Sequence, residues 1–471
     1  MRTLQSLKLM TVEDADRMSE KDNLRLFKKH LGGNLGKMLS MLGFGDAIPL
    51  KAEGMYITLN DGRNILDMTG HVGVLVAGHN HPRILEARRK WAERKGLETW
   101  KFFPSPYQAA LCHNLSLIFP EDLEVVFFCN SGAEANEGAL KLAEKYAGPE
   151  RNLIVYTDIS FHGKTHATLT VSGSEKHQNH HFHQIDNCAM VKYGDIDDLR
   201  RVIEANKIGK NSSRVGTFIV EAIRTEGVVI PDANYFKQVR QLCDEYDIVL
   251  IFDEIYTGFG RTGKMFAFEH FGVSPDICSF SKAFGGGKAT FAAFIARPRV
   301  YSKAYPKMNE ATLHSTTYNG YGEEIVSALE VLHILHDEQL VENSAEMGRY
   351  LLDRLQEVKR EFPDIVADVG GIGLLTCIKF KSKGEKLMRL ISSTGTEYME
   401  KFVTGAIITT LLKQHNILTF TPPHDSAQLL ITPSLIIQKA HIDYFIESLK
   451  KVLSGSLWKV GLDYVKKLSE A

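Results

Sequence analysis

Four short stretches of this chain pair an apolar run with a polar residue able to do chemistry at its end. Val125 to Cys129 leads through Asn130-Ser131-Gly132-Ala133-Glu134 into a helical pattern. Backbone N–H groups at a helix start, together with the Ser131 hydroxyl and the small Gly132 and Ala133, form a cradle suited to a phosphate. Leu153 to Thr157 is followed by Phe161-His162-Gly163, an aromatic ring able to lie on a planar ligand with a glycine that leaves room for it. Ile248 to Phe252 ends in Asp253, a carboxylate that could hold a protonated ring nitrogen. Ile277 to Phe280 runs into Ser281-Lys282, and a lysine at the end of a buried strand is costly unless it is paired or used covalently.

Each stretch alone also has an ordinary structural use: Ser131 as a helix cap, Phe161 in a core, Asp253 capping the next turn. Together they supply an anion cradle, a ring platform, an anion for a pyridine nitrogen and a lysine for an aldehyde. Those are the four parts that a pyridoxal 5′-phosphate site needs.

Such residues meet only if a scaffold brings strand ends together, and in open α/β sheets ligands sit beyond the carboxyl ends of the strands. Between about Glu124 and Ala296 the runs Val125 to Cys129, Leu153 to Thr157, Thr217 to Val220, Ile248 to Phe252, Ile277 to Phe280 and Phe291 to Ala296 are continuously apolar. Helical patterns such as Ala133 to Ala147 and Tyr235 to Tyr246 lie between them. This predicts α/β architecture, with a parallel sheet covered on both faces. From Gly322 to Phe362, Val326, Leu329, Leu332 and Leu335 recur with helical period, and a smaller α+β region follows. The expected division is 1–60 as a lead packed on the small domain or a second subunit, 61–320 as a large cofactor-binding domain, and 321–471 as a small domain.

Composition narrows the function further. The 56 Lys and Arg residues nearly cancel 57 Asp and Glu, leaving −1, so no global field attracts nucleic acid or an anionic membrane. Six scattered cysteines without a C-x-x-C pair argue against a zinc knuckle or a disulfide framework. No apolar run approaches the ~20 residues of a membrane span, and a soluble, cytoplasmic protein is expected. His177, His180, His181 and His183 crowd one stretch whose spacing suits a solvated loop, and no metal site is expected.

In this order the motifs resemble those of the class III (ω-) aminotransferases, a family of fold-type I pyridoxal phosphate enzymes, from about residue 53 to about residue 450. Leu66-Asp67 through Gly78-His79-Asn80-His81-Pro82 is similar to the family's amino-terminal signature, and Ser131 to Glu137 to its phosphate loop. The most specific element is Asp253 to Gly263 followed 29 residues later by Lys282. The resemblance implies a large domain with a mainly parallel, seven-stranded-type sheet between helices, and a small α+β domain from the two chain ends.

It also implies roles. Lys282 would hold the cofactor as a Schiff base and then shuttle a proton, Asp253 would bind the pyridine nitrogen, and Phe161 and Ile255 would pack on the ring. Ser131, Gly132 and Ala133 would border the phosphate. His162 belongs to the ring-stacking motif, and Tyr256 stands where many members have a glutamine near the phenolic oxygen. Glu226 matches a glutamate facing the substrate pocket. Thr317 would reach the neighbouring subunit's phosphate, which implies a homodimer, or a dimer of dimers, with a shared active site.

The departures bear on substrate. Ala222 and Arg224 replace the usual proline and glutamine, and Leu430 stands where most members carry the arginine that clamps an α-carboxylate bidentately. The expected reaction is ping-pong transfer from a small-molecule amine, a terminal one without an adjacent α-carboxylate, to an oxo acid, aldehyde or ketone. Arg224 is the candidate substitute for binding a carboxylate. Racemases, mutases and decarboxylating transaminases can use the same Lys282 and Asp253, and a keto product separates transamination from racemisation. A non-enzymatic cofactor-binding homologue is disfavoured because neither residue is lost.

Overall fold

The computed structural model describes residues 7–120, 122–173, 182–381, 395–422 and 427–455, giving the backbone alone for 395–402. The continuously apolar runs form one seven-stranded sheet. Its order from edge to edge is Val125–Cys129, Ala292–Ala296, Ile277–Phe280, Val249–Asp253, Val215–Val220, Leu153–Thr157 and Cys188–Val191. Alternate residues of one strand show why the runs are unbroken: Val249 and Ile251 join the cluster beneath helix Gly132–Ala147, whereas Leu250 and Phe252 join the core containing Phe236 and Leu242 of helix Tyr235–Tyr246. Both faces are covered, so both must be apolar.

The sheet corrects the sequence reading twice. Ala292–Ala296 is antiparallel to both of its neighbours, so the sheet is mainly parallel, as the resemblance implies, rather than parallel throughout as the apolar runs alone suggest. The connection from Phe280 to Ala292 carries Lys282 and is too short for a helical crossover, which needs about a dozen residues or more. Cys188–Val191, at the sheet edge, was not expected as a strand; it is short and only its last residue is fully buried.

After the sheet come helices Gly322–Asp337 and Leu340–Glu361, then an antiparallel sheet of Val366–Ile372, Leu375–Phe380 and Gln428–Ile431. Three short helices between Val12 and Met41 precede strands Pro49–Glu53, Tyr56–Leu59 and Asn64–Asp67. The last of these pairs in parallel with Ile417–Leu418, so the two ends of the chain share a sheet. Lys413 also pairs with Asp46.

Helix Leu340–Glu361 packs on the Arg261–Gly263 loop through Ser344 and Ala345 and on the Gly373 turn through Gly348. A Cβ at Gly348 would lie 2.1 Å from the Gly373 carbonyl oxygen, a backbone atom with nowhere to go. Glycine to alanine in a free helix interior stabilises by roughly 0.5–1 kcal/mol. Here the sign should reverse: Gly348→Ala is expected to cost about 1–3 kcal/mol, read as a lower denaturation midpoint in urea.

Candidate active site

The strand Ile277–Phe280 delivers Lys282 two residues past its end. Lys282 sits at φ +38, a conformation few residues other than glycine adopt. Phe284, two residues on, is buried among Phe280 at 4.9 Å, Phe259 at 5.2 Å and Phe291 at 5.2 Å between ring centroids, which fixes the turn from below. The lysine lines a cavity of about 440 Å³. Burial lowers its pKa to about 8, with the charges of Asp253 and Glu221 opposing the fall.

Asp253 ends the adjacent strand opposite Ser279 and lines the same cavity. Its carboxylate is held from three directions. Asn136 Nδ2 donates to Oδ2 at 2.8 Å, His162 Nδ1 donates to the same oxygen at 2.7 Å, and the Ile255 N–H donates to Oδ1 at 2.9 Å. An ionised carboxylate only accepts, so Nδ1 of His162 carries the proton. Asn136 also donates to the His162 carbonyl at 2.8 Å and accepts from Ser279 Oγ at 2.5 Å. Asn136 lay inside the phosphate-loop motif without a role; a wholly buried amide on an otherwise apolar helix face is the signal that could have found it.

Glu221 follows the strand Val215–Val220 and was not singled out by sequence. It accepts from the backbone N–H of Phe161 at 3.3 Å and of Thr225 at 3.2 Å, and so ties the ring-stacking segment to the sheet. Burial raises its carboxyl pKa; His162 opposes that shift and Asp253 adds to it.

At helix Gly132–Ala147 the Ser131 hydroxyl accepts from the Glu134 N–H at 3.2 Å, and Glu134 returns a bond to the Ser131 N–H at 2.9 Å. Ser131 therefore acts as the cap and does not line the cavity. Gly132 and Ala133, whose first-turn N–H groups have no acceptor within the helix, do line it. Phe161 and Ile255 contribute walls, and Phe161 is 38% exposed.

Among the substrate candidates, Glu226 and Leu430 line the cavity, and Leu430 is only 2% exposed, beside Phe420. Arg224 does not line it: its Nε donates to the Glu226 carbonyl at 2.9 Å and its guanidinium lies 5.8 Å from the Tyr193 ring centroid. Thr317 is exposed and away from the cavity of its own chain. Val72 was missed altogether. It lines the cavity from a left-handed turn in which Gly70, His71, Val72 and Gly73 have φ of +51, +47, +63 and +79.

His177, His180 and His181 lie outside the described residues, and His183 is exposed. Asp67, His71 and His79 bring ligand atoms within 4.8 Å of one another. The Asp67 oxygens are already taken by Thr69 and by His79 Nε2 at 3.1 Å. Burial raises the Asp67 pKa, but those hydrogen bonds outweigh it and hold the carboxyl below its usual value.

A buried carboxylate, a lysine of lowered pKa, two open helix-start amides and an aromatic wall around one cavity fit a phosphorylated pyridine aldehyde. A family model described as "Aminotransferase class-III" matches residues 45–453. "Aminotransferase PigE" of Serratia sp. (strain ATCC 39006) is 31% identical over 448 residues, covering 86% of this chain and 50% of that protein, so the chain spans about half the length of that relative. Two solved structures share 25% identity with the chain. A transaminase from the marine bacterium Virgibacillus has a TM-score of 0.78 over 88% of this chain and 94% of its own. An (S)-enantioselective omega-transaminase from Thermomicrobium roseum has a TM-score of 0.76 over 87% and 92%. The ornithine aminotransferase of Toxoplasma gondii ME49, at 24% identity and a TM-score of 0.78 over 95% and 99%, is a likeness in fold. The chain thus belongs to the class III aminotransferases, which have the type I fold and depend on pyridoxal 5′-phosphate.

Proposed function

We propose that the chain transfers an amino group from a terminal amine lacking an adjacent α-carboxylate to an oxo acid, aldehyde or ketone, in two half-reactions. The observation that carries this reading is Leu430, whose side chain makes an apolar wall with Phe420 and Pro422 in the cavity that holds Lys282.

Bound there, pyridoxal phosphate supplies an electron sink that acidifies the C–H bond beside the amino nitrogen. Asp253 would keep the ring nitrogen protonated, and its donors Asn136 and His162 keep it aimed. Phe161 and Ile255 would flank the ring, and the Gly132 and Ala133 N–H groups would meet the phosphate. Lys282 would hold the aldehyde carbon and, once freed by the incoming amine, carry the proton between substrate and cofactor. A lowered pKa suits that work, because near neutral pH more of the amine is unprotonated and able to act as a base than in an ordinary lysine.

Assembly follows from Thr317. Beside it Leu313 and Tyr318 are exposed, as are Phe102 at 91% and Met308 at 95%. The two segments are tied together by Lys101 Nζ donating to the Thr316 carbonyl at 2.8 Å and the Trp100 N–H donating to Gly320 at 3.3 Å. An apolar patch of this kind marks a partner surface. A symmetric homodimer would cover it and carry each Thr317 to the other subunit's phosphate site.

Three measurements test the reading. Borohydride reduction of the yellow holoenzyme should fix the cofactor on Lys282 by peptide mapping, and Lys282→Ala should retain cofactor non-covalently while losing several orders of magnitude in rate; label on another lysine would overturn the site. Sedimentation over a dilution series should find activity only in dimers or larger, and full specific activity in a demonstrated monomer would contradict the shared site. Charge-assisted bonds contribute ~1.5–3 kcal/mol each, and a decade is about 1.4 kcal/mol. Leu430→Arg should therefore raise kcat/KM for α-amino acids on the order of a hundredfold relative to terminal amines. A parent enzyme that already prefers α-amino acid donors would sink the substrate assignment.

A further inference from the structure

Tyr256 departs from the family's glutamine and occupies a position nothing else in the site explains. Its hydroxyl is 3.1 Å from Thr432 Oγ1. Thr432 donates its own proton to the Thr69 carbonyl at 2.9 Å, so Tyr256 must be the donor and its hydroxyl hydrogen is committed away from the lysine. Burial raises the phenol pKa to about 12, which leaves it neutral at working pH. It offers Lys282 neither a hydrogen bond nor a negative charge. What it offers is the ring face, and the Lys282 Nζ lies 4.2 Å from the ring centroid.

The ring is braced by a neighbouring turn. A Cβ at Gly73 would sit 2.9 Å from the Tyr256 Cε1, and one at Gly70 would sit 2.5 Å from the Thr432 carbonyl oxygen. The left-handed turn Gly70–Gly73 thus places backbone where side chains cannot go, and it fixes the tyrosine against Thr432. Val72, a β-branched residue, is held at φ +63, a conformation such side chains rarely adopt. That strain is consistent with a turn whose position matters.

We infer that Tyr256 is a positioning residue whose ring face holds the Lys282 ammonium whenever the amine is not bonded to the cofactor. A ring face attracts only the charged amine, and it does so best where water is excluded. In the reading of Lys282 as the cofactor lysine, on which this inference rests, the face does two things. It keeps the amine, once that has taken up a proton, at one place in the cavity, and it offsets part of the basicity that burial removes. The other charged groups acting on Lys282 are Asp253 and Glu221, which also favour the ammonium and are unchanged by altering the ring.

The test is the titration of Lys282 in the full chain freed of cofactor, followed as the pH dependence of trace acetylation of the peptide that contains it. A cation held by a ring face loses roughly half a unit to one unit of pKa when the face is removed. The midpoint should therefore fall by that amount in Tyr256→Leu and stay in place in Tyr256→Phe, which keeps the face and gives up the hydroxyl. Should Tyr256→Leu fail to fold, a fluorinated phenylalanine at position 256 keeps the shape of the Tyr256→Phe protein, weakens the face and should lower the midpoint. An unchanged midpoint in Tyr256→Leu, or with the fluorinated ring, would overturn the inference, as would an equal fall in Tyr256→Phe and Tyr256→Leu. The titration needs neither cofactor nor turnover. Its failure is therefore distinct from failure of the borohydride mapping, which alone would remove Lys282 from the chemistry.

Discussion

The site depends on keeping a carboxylate and an amine useful after both have left bulk water. Burial alone would neutralise each of them. At Asp253 three donors from three different segments converge on the two oxygens. Those donors come from helix Gly132–Ala147, from the loop after Leu153–Thr157 and from the turn after Asp253 itself, so the carboxylate is held in place only when the sheet and its covering helix are assembled. Lys282 is treated differently. No hydrogen-bond acceptor is recorded at its amine among the described residues; its surroundings are an aromatic face and two carboxylates felt through space. One partner is locked and the other is left able to move, which is what a group that must change its bonding requires.

Much of this was legible in the sequence, and the reasons differ by residue. Buried strands show as unbroken apolar runs because both sheet faces are covered, and the residues following each of the mutually parallel runs fall by construction at the ligand side. That places Gly132, Phe161, Asp253 and Lys282 around one cavity from pattern alone. The antiparallel course of Ala292–Ala296 has no signature in its own residues, and only the shortness of the preceding connection hints at it. Cys188–Val191 is apolar throughout, but at four residues it is too short a run to announce a strand.

Side-chain direction was the least readable property. Arg224 and Glu226 are two residues apart in a loop, yet Glu226 lines the cavity while the Arg224 Nε bonds the Glu226 backbone carbonyl. Nothing in the spacing distinguishes them, since loops lack the fixed period that makes helices and strands predictable. Val72 was hidden for a related reason: its approach to the cavity requires a run of positive φ that flanking glycines permit but do not announce. Ser131 shows the converse, a residue of the expected type whose side chain is used by the helix it begins.

The walls that would choose a substrate come from different parts of the chain than the groups that would do the chemistry. Lys282, Asp253 and the helix start at Gly132 belong to the central sheet and its covering layer. Leu430 comes from the antiparallel sheet near the carboxyl end, and Val72 from a turn that follows the amino-terminal strands. These outlying pieces are joined to each other through Thr432, which bonds the Thr69 carbonyl, and through the pairing of Ile417–Leu418 with Asn64–Asp67. A change at Leu430 therefore alters a wall without touching the donors that hold Asp253. The exception is Tyr256: it leaves the central sheet, reaches Thr432 with its hydroxyl and lies under Lys282 with its ring. It is a side chain through which a shift of the outlying wall would be felt by the reacting amine, so substitutions along Gly70–Gly73 should disturb proton transfer by way of Tyr256 before they disturb Asp253.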